Sequence, residues 1–336
     1  MKEAMFYKKL NDDVVQCLLC NRYCVIKNDE YGNCGVRKNI NGKLYSLNHS
    51  KACSVAVDPI EKKPFYHFKP GEYAFSIATA GCNFHCLHCQ NYEISQARVD
   101  EVPYYDLPPE LVVKAAEDNN VPIIAYTYTE PTVFFEYCYD TGLIAKEKGI
   151  FNVFVTNGYA SPQAVEKAAE FLDAARIDLK GDAEHYDKVC GGVVYEKVLE
   201  CIKNYFKTGM HLEIITLLIP GHNDDEDWIR EAAGFIKSLS PDIPWHFTRF
   251  YPAWKMMNVP PTDVRTLLKA RRIAVDEGIK YVYVGNVLTE YNNTYCHNCG
   301  ELLIRRDGFS VVENKLEVKK GKARCPNCGV KIPGFW

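Results

Sequence analysis

Three cysteines near residue 85 are the residues of this chain best suited to chemistry. Cys82, Cys86 and Cys89 follow a C-x3-C-x2-C spacing directly after the apolar run from Ala74 to Ala80. Thiolates are soft ligands that suit iron–sulfur clusters. Three close cysteines with no fourth nearby can hold three irons of a four-iron cluster and leave the last iron open. The alternative is a zinc site completed by a neighbouring histidine, His85 or His88.

Two further cysteine groups flank this motif. Eleven of the fifteen cysteines fall into groups of four, three and four, so they indicate metal sites in a reducing compartment rather than disulfides. The last group forms two C-x2-C pairs, each followed by glycine, and predicts a zinc ribbon. The first group allows either zinc or a second iron–sulfur cluster. The outer groups are Cys17, Cys20, Cys24 and Cys34, and Cys296, Cys299, Cys325 and Cys328.

The composition is typical of a globular protein that has no strong electrostatic field. Its 336 residues are 47% hydrophobic, enough for a large core, and the net charge is −3. No apolar stretch approaches the roughly 20 residues of a membrane span, and the first ten residues lack a signal-peptide core. We expect a cytoplasmic protein with no membrane partner. Acidic residues interrupt the basic ones near the C-terminus, so nucleic acid is not an expected partner.

From residue 74 onward, apolar strands alternate with amphipathic helices, which indicates βα units. Six such units and a possible extra strand favour a partial TIM-like barrel over an open doubly wound sheet. Strands are predicted at Phe75–Ala80, Ile123–Tyr128, Asn152–Thr156, Ala174–Leu179, Leu212–Ile219, Trp245–Phe250 and Tyr281–Val284. Helices are predicted at Pro109–Asn119, Thr132–Lys148, Pro162–Phe171, Tyr195–Thr208, Asp225–Leu239 and Pro261–Glu277.

Polar residues follow the predicted strands at their carboxyl ends, the active face of a barrel. Glu130, Asn157, Asp178 and Lys180 are the candidates for binding a cofactor at this rim. The alternative for Glu130 is a solvated carboxylate at a helix start. For Asp178 and Lys180 it is a simple ion pair on one strand face.

Three weaker candidates complete the predicted site. Arg249 and Tyr251 follow a strand and suit a substrate anion, although they also suit the edge of a core. Cys190 lies between a valine and two glycines, which predicts a loop. An isolated cysteine is usually a small buried hydrophobe.

The three-cysteine motif after a first strand resembles the radical S-adenosylmethionine (SAM) superfamily. The resemblance covers about residues 74–290 and implies a [4Fe-4S] cluster, SAM bound at the open iron, and a 5′-deoxyadenosyl radical. Further motifs resemble the branch of pyruvate formate-lyase activating enzymes. They are the segment Tyr126–Thr132 with Glu130 and Pro131, then Val155–Gly158, Ile177–Lys180 and Leu218–Asp224.

A narrower resemblance, to the AmmeMemoRadiSam-system radical SAM enzymes, covers nearly the whole chain. It is carried by the N-terminal cysteines and by the segments Asp58–Phe68, Cys89–Gln96 and Trp245–Met256. It implies Memo-like and AMMECR-like partner proteins, and an electron donor such as flavodoxin or ferredoxin. Two departures stand out: His88 replaces the usual aromatic residue before the third cysteine, and both glycines before Glu130 are replaced.

We therefore expect a four-cysteine metal-binding cap at residues 1–70, a radical SAM partial (β/α)6 barrel at 71–290 and a four-cysteine zinc ribbon at 291–336. The expected function is reductive cleavage of SAM for hydrogen abstraction from an unidentified substrate. An activase that installs a glycyl radical is the alternative enzyme. A zinc-dependent nucleic-acid-binding or scaffold protein is the alternative outside enzymes.

Overall fold

A computed structural model describes residues 1–336 and centres on one eight-stranded sheet. Seven neighbouring strands run parallel in chain order, and the first strand pairs antiparallel with the second at one edge. The two edge strands do not pair with each other, so the ladder is open. The strands are β1 Ser54–Pro59, β2 Tyr73–Ala78, β3 Ile123–Tyr126, β4 Phe151–Thr156, β5 Ala174–Asp178, β6 His211–Leu218, β7 Trp245–Arg249 and β8 Val282–Gly285.

Helices connect the parallel strands and bury apolar faces against them. They are α1 Tyr92–Ser95, α2 Pro109–Asp118, α3 Phe135–Glu147, α4 Pro162–Ala168, α5 Ala183–Lys188, α6 Tyr195–Lys207, α7 Glu226–Leu239 and α8 Val264–Asp276. Side-chain caps fix several starts: Ser161 accepts from the Ala164 N–H, and Asp225 accepts from the Trp228 N–H. No helix is both long and apolar enough to cross a membrane.

The central strands are continuous apolar runs because both sheet faces are covered. All four residues of β3 are buried, and Trp245 at the start of β7 is fully enclosed. The Trp245 indole N–H donates to the Thr216 hydroxyl on β6, at 3.0 Å. The core thus ties neighbouring strands together and fixes where their carboxyl ends lie.

The predicted strands and helices are confirmed, with small shifts at their ends. The helix predicted at Pro261–Glu277 begins at Val264 because Asp263 caps it and accepts from the Arg265 N–H. The helix predicted at Thr132–Lys148 starts as a 3-10 turn, Pro131–Phe134, before α3.

The chain before residue 70 contributes to the central sheet as well as forming small sheets of its own. Strand β1 belongs to the central sheet, and the 3-10 turn Ile60–Lys62 follows it. The earlier strands form two three-stranded sheets and one antiparallel pair with Tyr105–Asp106. These strands are Lys2–Glu3, Tyr7–Lys9, Val14–Cys17, Val25–Lys27, Arg37–Ile40, Lys43–Ser46 and Lys51–Ala52.

The C-terminal segment forms two small three-stranded antiparallel sheets and packs on the central unit. His67 binds it twice: the ring Nδ1 lies 2.7 Å from the Pro333 carbonyl, and the His67 carbonyl accepts from the Phe335 N–H. The buried Arg306 guanidinium lies 3.5 Å from the Glu61 carboxylate. The strands are Thr294–Tyr295, Leu302–Asp307, Ser310–Asn314, Glu317–Lys319, Lys322–Arg324 and Lys331–Ile332.

Candidate active site

The three cysteines lie on the loop that follows β2. Gly81 starts this loop with φ +95°, a left-handed conformation that favours glycine. The Cys82 sulfur accepts from the Phe84 N–H at 3.4 Å, and the Cys89 sulfur lies 3.2 Å from the Ser95 hydroxyl. The loop is therefore held by its own backbone and by helix α1.

All three cysteines line one large cavity at the carboxyl ends of the parallel strands. The cavity has a volume of about 1000 Å³ and an open mouth. The strand ends contribute polar side chains to it, and the C-terminal segment contributes Gly308 and Phe309. The predicted site residues that line the cavity are Cys82, Cys86, Cys89, Glu130, Asn157, Asp178, Lys180, Arg249 and Tyr251.

The geometry does not favour the single zinc ion completed by a histidine. No three of these cysteines and histidines bring their ligand atoms within 4.8 Å of one another. The His85 Nδ1 lies 2.5 Å from the Gln96 side-chain oxygen, so that ring atom already has a partner. Three thiols spread around an open cavity fit a multi-iron cluster better than one tetrahedral ion.

His88 lines the cavity as a neutral ring. Burial first, then the charge of Lys180, lowers its pKa well below the usual value. Its Nδ1 is buried without a hydrogen-bond partner. His88 therefore offers a planar, uncharged surface with one free polar atom beside the cysteine loop.

Glu130 is buried rather than solvated. One of its oxygens accepts from Thr132, both from the backbone N–H at 3.0 Å and from the hydroxyl, and from the Thr156 hydroxyl at 2.7 Å. The other oxygen accepts only from the Asn157 N–H, at 2.7 Å. Burial raises the pKa of Glu130. This second oxygen has capacity for another donor from the cavity.

Asn157 links the rim to the cysteine loop. Its side-chain N–H group donates to the Asn83 side-chain oxygen at 2.7 Å and lies 3.9 Å from the Cys82 sulfur. Its own side-chain oxygen is buried without a partner. The amide thus fixes the loop while leaving one acceptor free.

Asp178 and Lys180 form the ion pair that the strand alternation allows, and Arg176 joins them. The Asp178 carboxylate receives Arg176 on one oxygen and Lys180 on the other. The Arg176 Nε–H also donates to the Lys63 carbonyl at 3.0 Å. Two cations therefore share one carboxylate, which leaves the cavity wall with excess positive charge.

A second ion pair lies next to this group, on the segment whose Lys63 carbonyl accepts from Arg176. The Lys63 ammonium donates to Asp58 at 2.6 Å and lies 3.1 Å from the Tyr128 hydroxyl. Burial lowers the pKa of Lys63 to about 8, while Asp58 opposes this shift. Tyr128 also donates to Asp58. This group positions the loop that carries Glu130.

The three weaker candidates occupy different places. The Arg249 guanidinium stacks 5.1 Å over the Tyr251 ring, and its Nε is buried without a partner. Cys190 is fully buried and is not part of the cavity wall. Its carbonyl accepts from the His85 N–H at 3.1 Å, and its thiol lowers the pKa of Cys86 through a hydrogen bond. Cys190 therefore supports the loop from behind.

The outer cysteine groups differ in their sulfur spacing. In the C-terminal group all four sulfur atoms lie within 4.8 Å of one another, with Cys296–Cys328 and Cys299–Cys325 at 3.6 Å. This suits one tetrahedral ion. The N-terminal four surround a second, small cavity instead.

The sequence did not reveal Asn83, Arg176, Lys63 and Asp58 as parts of this site. Asn83 is adjacent to Cys82, so position within the motif was a usable signal. The other three depend on contacts between distant elements, such as Arg176 on β5 with the Lys63 carbonyl. The site combines three thiols, a buried carboxylate with a free lone pair, and a cationic wall.

The chain is similar to known proteins over part or nearly all of its length. The radical SAM superfamily model matches residues 76–232. An uncharacterized protein of Methanocaldococcus jannaschii is 48% identical over 334 residues, 99% of each chain. The pyruvate formate-lyase 1-activating enzyme of Escherichia coli is 22% identical over 218 residues, covering 60% of this chain and 89% of that enzyme.

Among solved structures, Streptococcus suis SuiB has a TM-score of 0.51 at 16% identity, over 68% of this chain. The match spans about half of SuiB, 52% of its length, and is a likeness of fold. Together with the cysteine motif on the loop after β2, these matches lead to one assignment. The chain belongs to the radical SAM superfamily, whose members are enzymes.

Proposed function

We propose that this enzyme reductively cleaves SAM at a [4Fe-4S] cluster and abstracts hydrogen from a substrate that binds in the same cavity. The observation that carries the proposal is that Cys82, Cys86 and Cys89 open onto one cavity with the polar strand ends. When bound, the cluster and SAM supply one electron and a 5′-deoxyadenosyl radical. The protein positions these groups and limits water.

The residues present fit both groups. Burial raises the pKa values of the Cys82 and Cys89 thiols, so a bound metal is needed to hold them as thiolates. The free lone pair of Glu130 would accept from the SAM amino group. Asn157 and the Asp178–Lys180 pair would contact its ribose and carboxylate, and the His88 ring would lie by the adenine.

Substrate binding is assigned to the part of the cavity lined by the carboxyl end of β7. Arg249 contributes an N–H that has no protein partner, and Tyr251 lies against it. Arginine binds carboxylate and phosphate groups through two parallel hydrogen bonds. An anionic group on the substrate would therefore meet Arg249.

The finer architecture is also a proposal. Seven parallel strands about 4.8 Å apart span close to 30 Å when flat, yet their carboxyl ends reach one cavity. This supports a sheet curved into a partial barrel. The N-terminal strands would form a metal-binding cap, and the C-terminal cysteines a zinc ribbon.

The partners are proposed from the family and from the narrower resemblance. A flavodoxin or ferredoxin would supply the electron, as is general for radical SAM enzymes. Memo-like and AMMECR-like proteins are the proposed protein partners.

The alternative enzyme is an activase that installs a glycyl radical on a partner protein. The similarity to the Escherichia coli activating enzyme favours it. A partner with an extended glycine loop would give a glycyl radical signal by electron paramagnetic resonance after incubation. Without such a signal, a small-molecule substrate is favoured.

The decisive variant is Cys86→Ala. Because Cys86 is one of three cluster ligands, the variant should form no 5′-deoxyadenosine from SAM and dithionite under anaerobic conditions. Cys201→Ala is the matched control, since Cys201 is equally buried but lies outside the cavity. Undiminished product from Cys86→Ala, or colourless wild-type protein that contains only zinc, would refute the proposal.

Zinc at the C-terminal group is tested separately. Cys325→Ala should lose the zinc and keep the iron, because no cysteine of this group lines the cavity that contains the loop after β2. Metal content by mass spectrometry of the wild type and variant gives the answer. Loss of iron in Cys325→Ala would contradict the assignment.

A further inference from the structure

The four N-terminal cysteines surround one small cavity. Cys17 ends a strand, and Cys20, Cys24 and Cys34 lie on the turns around it. None of the four forms a disulfide. Apolar and polar side chains complete its wall: Leu19, Ile26, Val133, Arg22, Asn33, Arg37 and Asn83. Four free thiols that converge on one small cavity form a ligand set without an assigned ligand.

Sulfur spacing separates this group from the C-terminal one. Around one tetrahedral zinc, with Zn–S bonds of about 2.3 Å, the sulfur atoms lie about 3.8 Å apart. The C-terminal pairs, at 3.6 Å, match this value. No three of the N-terminal sulfur atoms lie within 4.8 Å of one another. Thiolates on the corners of an iron–sulfur cluster are farther apart than those on a single ion, so the spacing favours a cluster.

Arg37 supplies a second, independent observation. Its side chain is 2% exposed and lines this cavity, yet two of its nitrogens, Nε and Nη1, have no hydrogen-bond partner. The third, Nη2, binds Glu136. Unpaired buried donors are costly. Sulfide and thiolate acceptors in the cavity would satisfy them, and the Asn33 N–H already points at the Cys24 sulfur at 3.5 Å.

The cavity adjoins the loop that carries the active-site cysteines. Asn83 lines it beside the Cys20 thiol, while its chain neighbours Cys82 and Phe84 line the large cavity. The Arg22 Nε–H donates to the Asn83 carbonyl at 3.0 Å and fixes the two parts against each other. One residue therefore separates the two sets of thiols.

We propose that Cys17, Cys20, Cys24 and Cys34 bind a second [4Fe-4S] cluster, next to the one at Cys82, Cys86 and Cys89. An external low-potential one-electron donor reduces it, and it passes that electron to the neighbouring cluster and returns to its oxidised form. The assignment of a cluster to these four cysteines depends only on the cavity and its lining residues, and not on the proposed function. The electron step rests on the proposed function.

The test compares Cys24→Ala with Cys53→Ala in the full-length, anaerobically purified protein. Both cysteines are partly exposed, and Cys53 lies outside both cavities. In Cys24→Ala the iron and sulfide content should fall to about half, with zinc unchanged, whereas Cys53→Ala should match the wild type. Loss of zinc with unchanged iron, or no change in either metal, would overturn the second cluster.

Two further measurements test the second cluster independently of the Cys24→Ala variant. In the wild type, two reduced clusters so close together should broaden each other's electron paramagnetic resonance signals, and a single unbroadened signal would count against the assignment. The variant lacking Cys82, Cys86 and Cys89 should keep half of the iron. That result would leave the second cluster in place even if the proposed function were wrong.

The electron step has its own readout. Fully reduced protein, freed of reductant and then given SAM, should yield about twofold more 5′-deoxyadenosine per chain in the wild type than in Cys24→Ala, because two stored electrons are available. Equal yields, with the iron loss confirmed, would refute the transfer while retaining the cluster.

Discussion

Tyr128 shows how a single residue compensates for a missing glycine. It stands where related activating enzymes are expected to carry glycine, and it keeps the left-handed conformation at φ +66°. For a residue with a side chain this conformation costs about 1–2 kcal/mol. The Tyr128 hydroxyl donates to Asp58, the Lys63 ammonium lies 4.3 Å from its ring centre, and its carbonyl accepts from Asn91 at 2.8 Å. These contacts offset the cost.

Tyr128→Phe tests this compensation. The variant keeps the ring and the backbone strain but loses the hydroxyl, so unfolding free energy should fall by about 1–2 kcal/mol. The measurement is urea unfolding of the metal-loaded protein. Tyr92→Phe is the control, because the Tyr92 hydroxyl is exposed and its one hydrogen bond, to Glu93, is long at 3.5 Å. Equal losses in both variants would contradict the role assigned to Tyr128.

At the scale of elements, hydrophobic periodicity predicts those strands and helices whose burial pattern is visible in the local sequence. Strands with continuous apolar runs, such as β3, were predictable because parallel strands bury both faces. Strand β1 alternates half-buried and exposed residues, with only Asp58 fully buried, and joins the sheet only through antiparallel pairing with β2. Helix α5 has six residues, too few for an amphipathic pattern. Both were missed because long-range packing creates them.

Gly81 controls how β2 passes into the cysteine loop. A Cβ there would lie 2.6 Å from a Val36 methyl and 2.7 Å from the Cys34 carbonyl. The N-terminal segment therefore packs directly against the Gly81 backbone and leaves no room for a side chain. Gly81→Ala should lower unfolding free energy by about 2–4 kcal/mol, from strain and overpacking together. It should also reduce iron at the loop.

Gly149→Ala is the matched control for Gly81→Ala. Gly149 has a similar positive φ, +72°, after helix α3, but no atom lies within 4 Å of an added Cβ. It should lose only about 1 kcal/mol and keep its iron. Chemical denaturation and iron content measure both variants. If the two lose the same stability and the same iron, close packing at Gly81 is not what fixes the loop.

At the scale of the whole molecule, the three-cysteine motif and the polar strand ends that share its cavity could be predicted, whereas the contacts that hold them in place could not. Spacing alone predicts Cys82, Cys86 and Cys89 as one ligand set, because residues on one loop are close in sequence. Arg176 donates to the Lys63 carbonyl, which is 113 residues away in the sequence, and no local sequence pattern predicts such a contact. The same holds for the contact between His67 and the C-terminal segment.

His67 makes that contact sensitive to acid. Because the Pro333 carbonyl only accepts, Nδ1 carries the ring proton, and Nε2 accepts from the Tyr283 hydroxyl at 2.6 Å. Burial lowers the pKa of His67 to about 4. Between about pH 6.5 and 4 the unfolded chain binds a proton there that the folded chain does not. Stability from His67 is therefore present above pH 6.5 and falls by about 3 kcal/mol as the pH drops to 4.

Other buried groups also titrate in this range, so a difference measurement isolates His67. His185, with its pKa lowered to about 4 by burial, acts in the same direction. Glu61, raised to about 7 by burial, acts in the opposite one. His67→Asn keeps a donor toward Pro333 and removes the titration. Its stability deficit relative to the wild type should shrink between pH 7 and pH 4.5. A deficit in His67→Asn that does not change with pH would mean that the His67 ring does not link the C-terminal segment to acid stability.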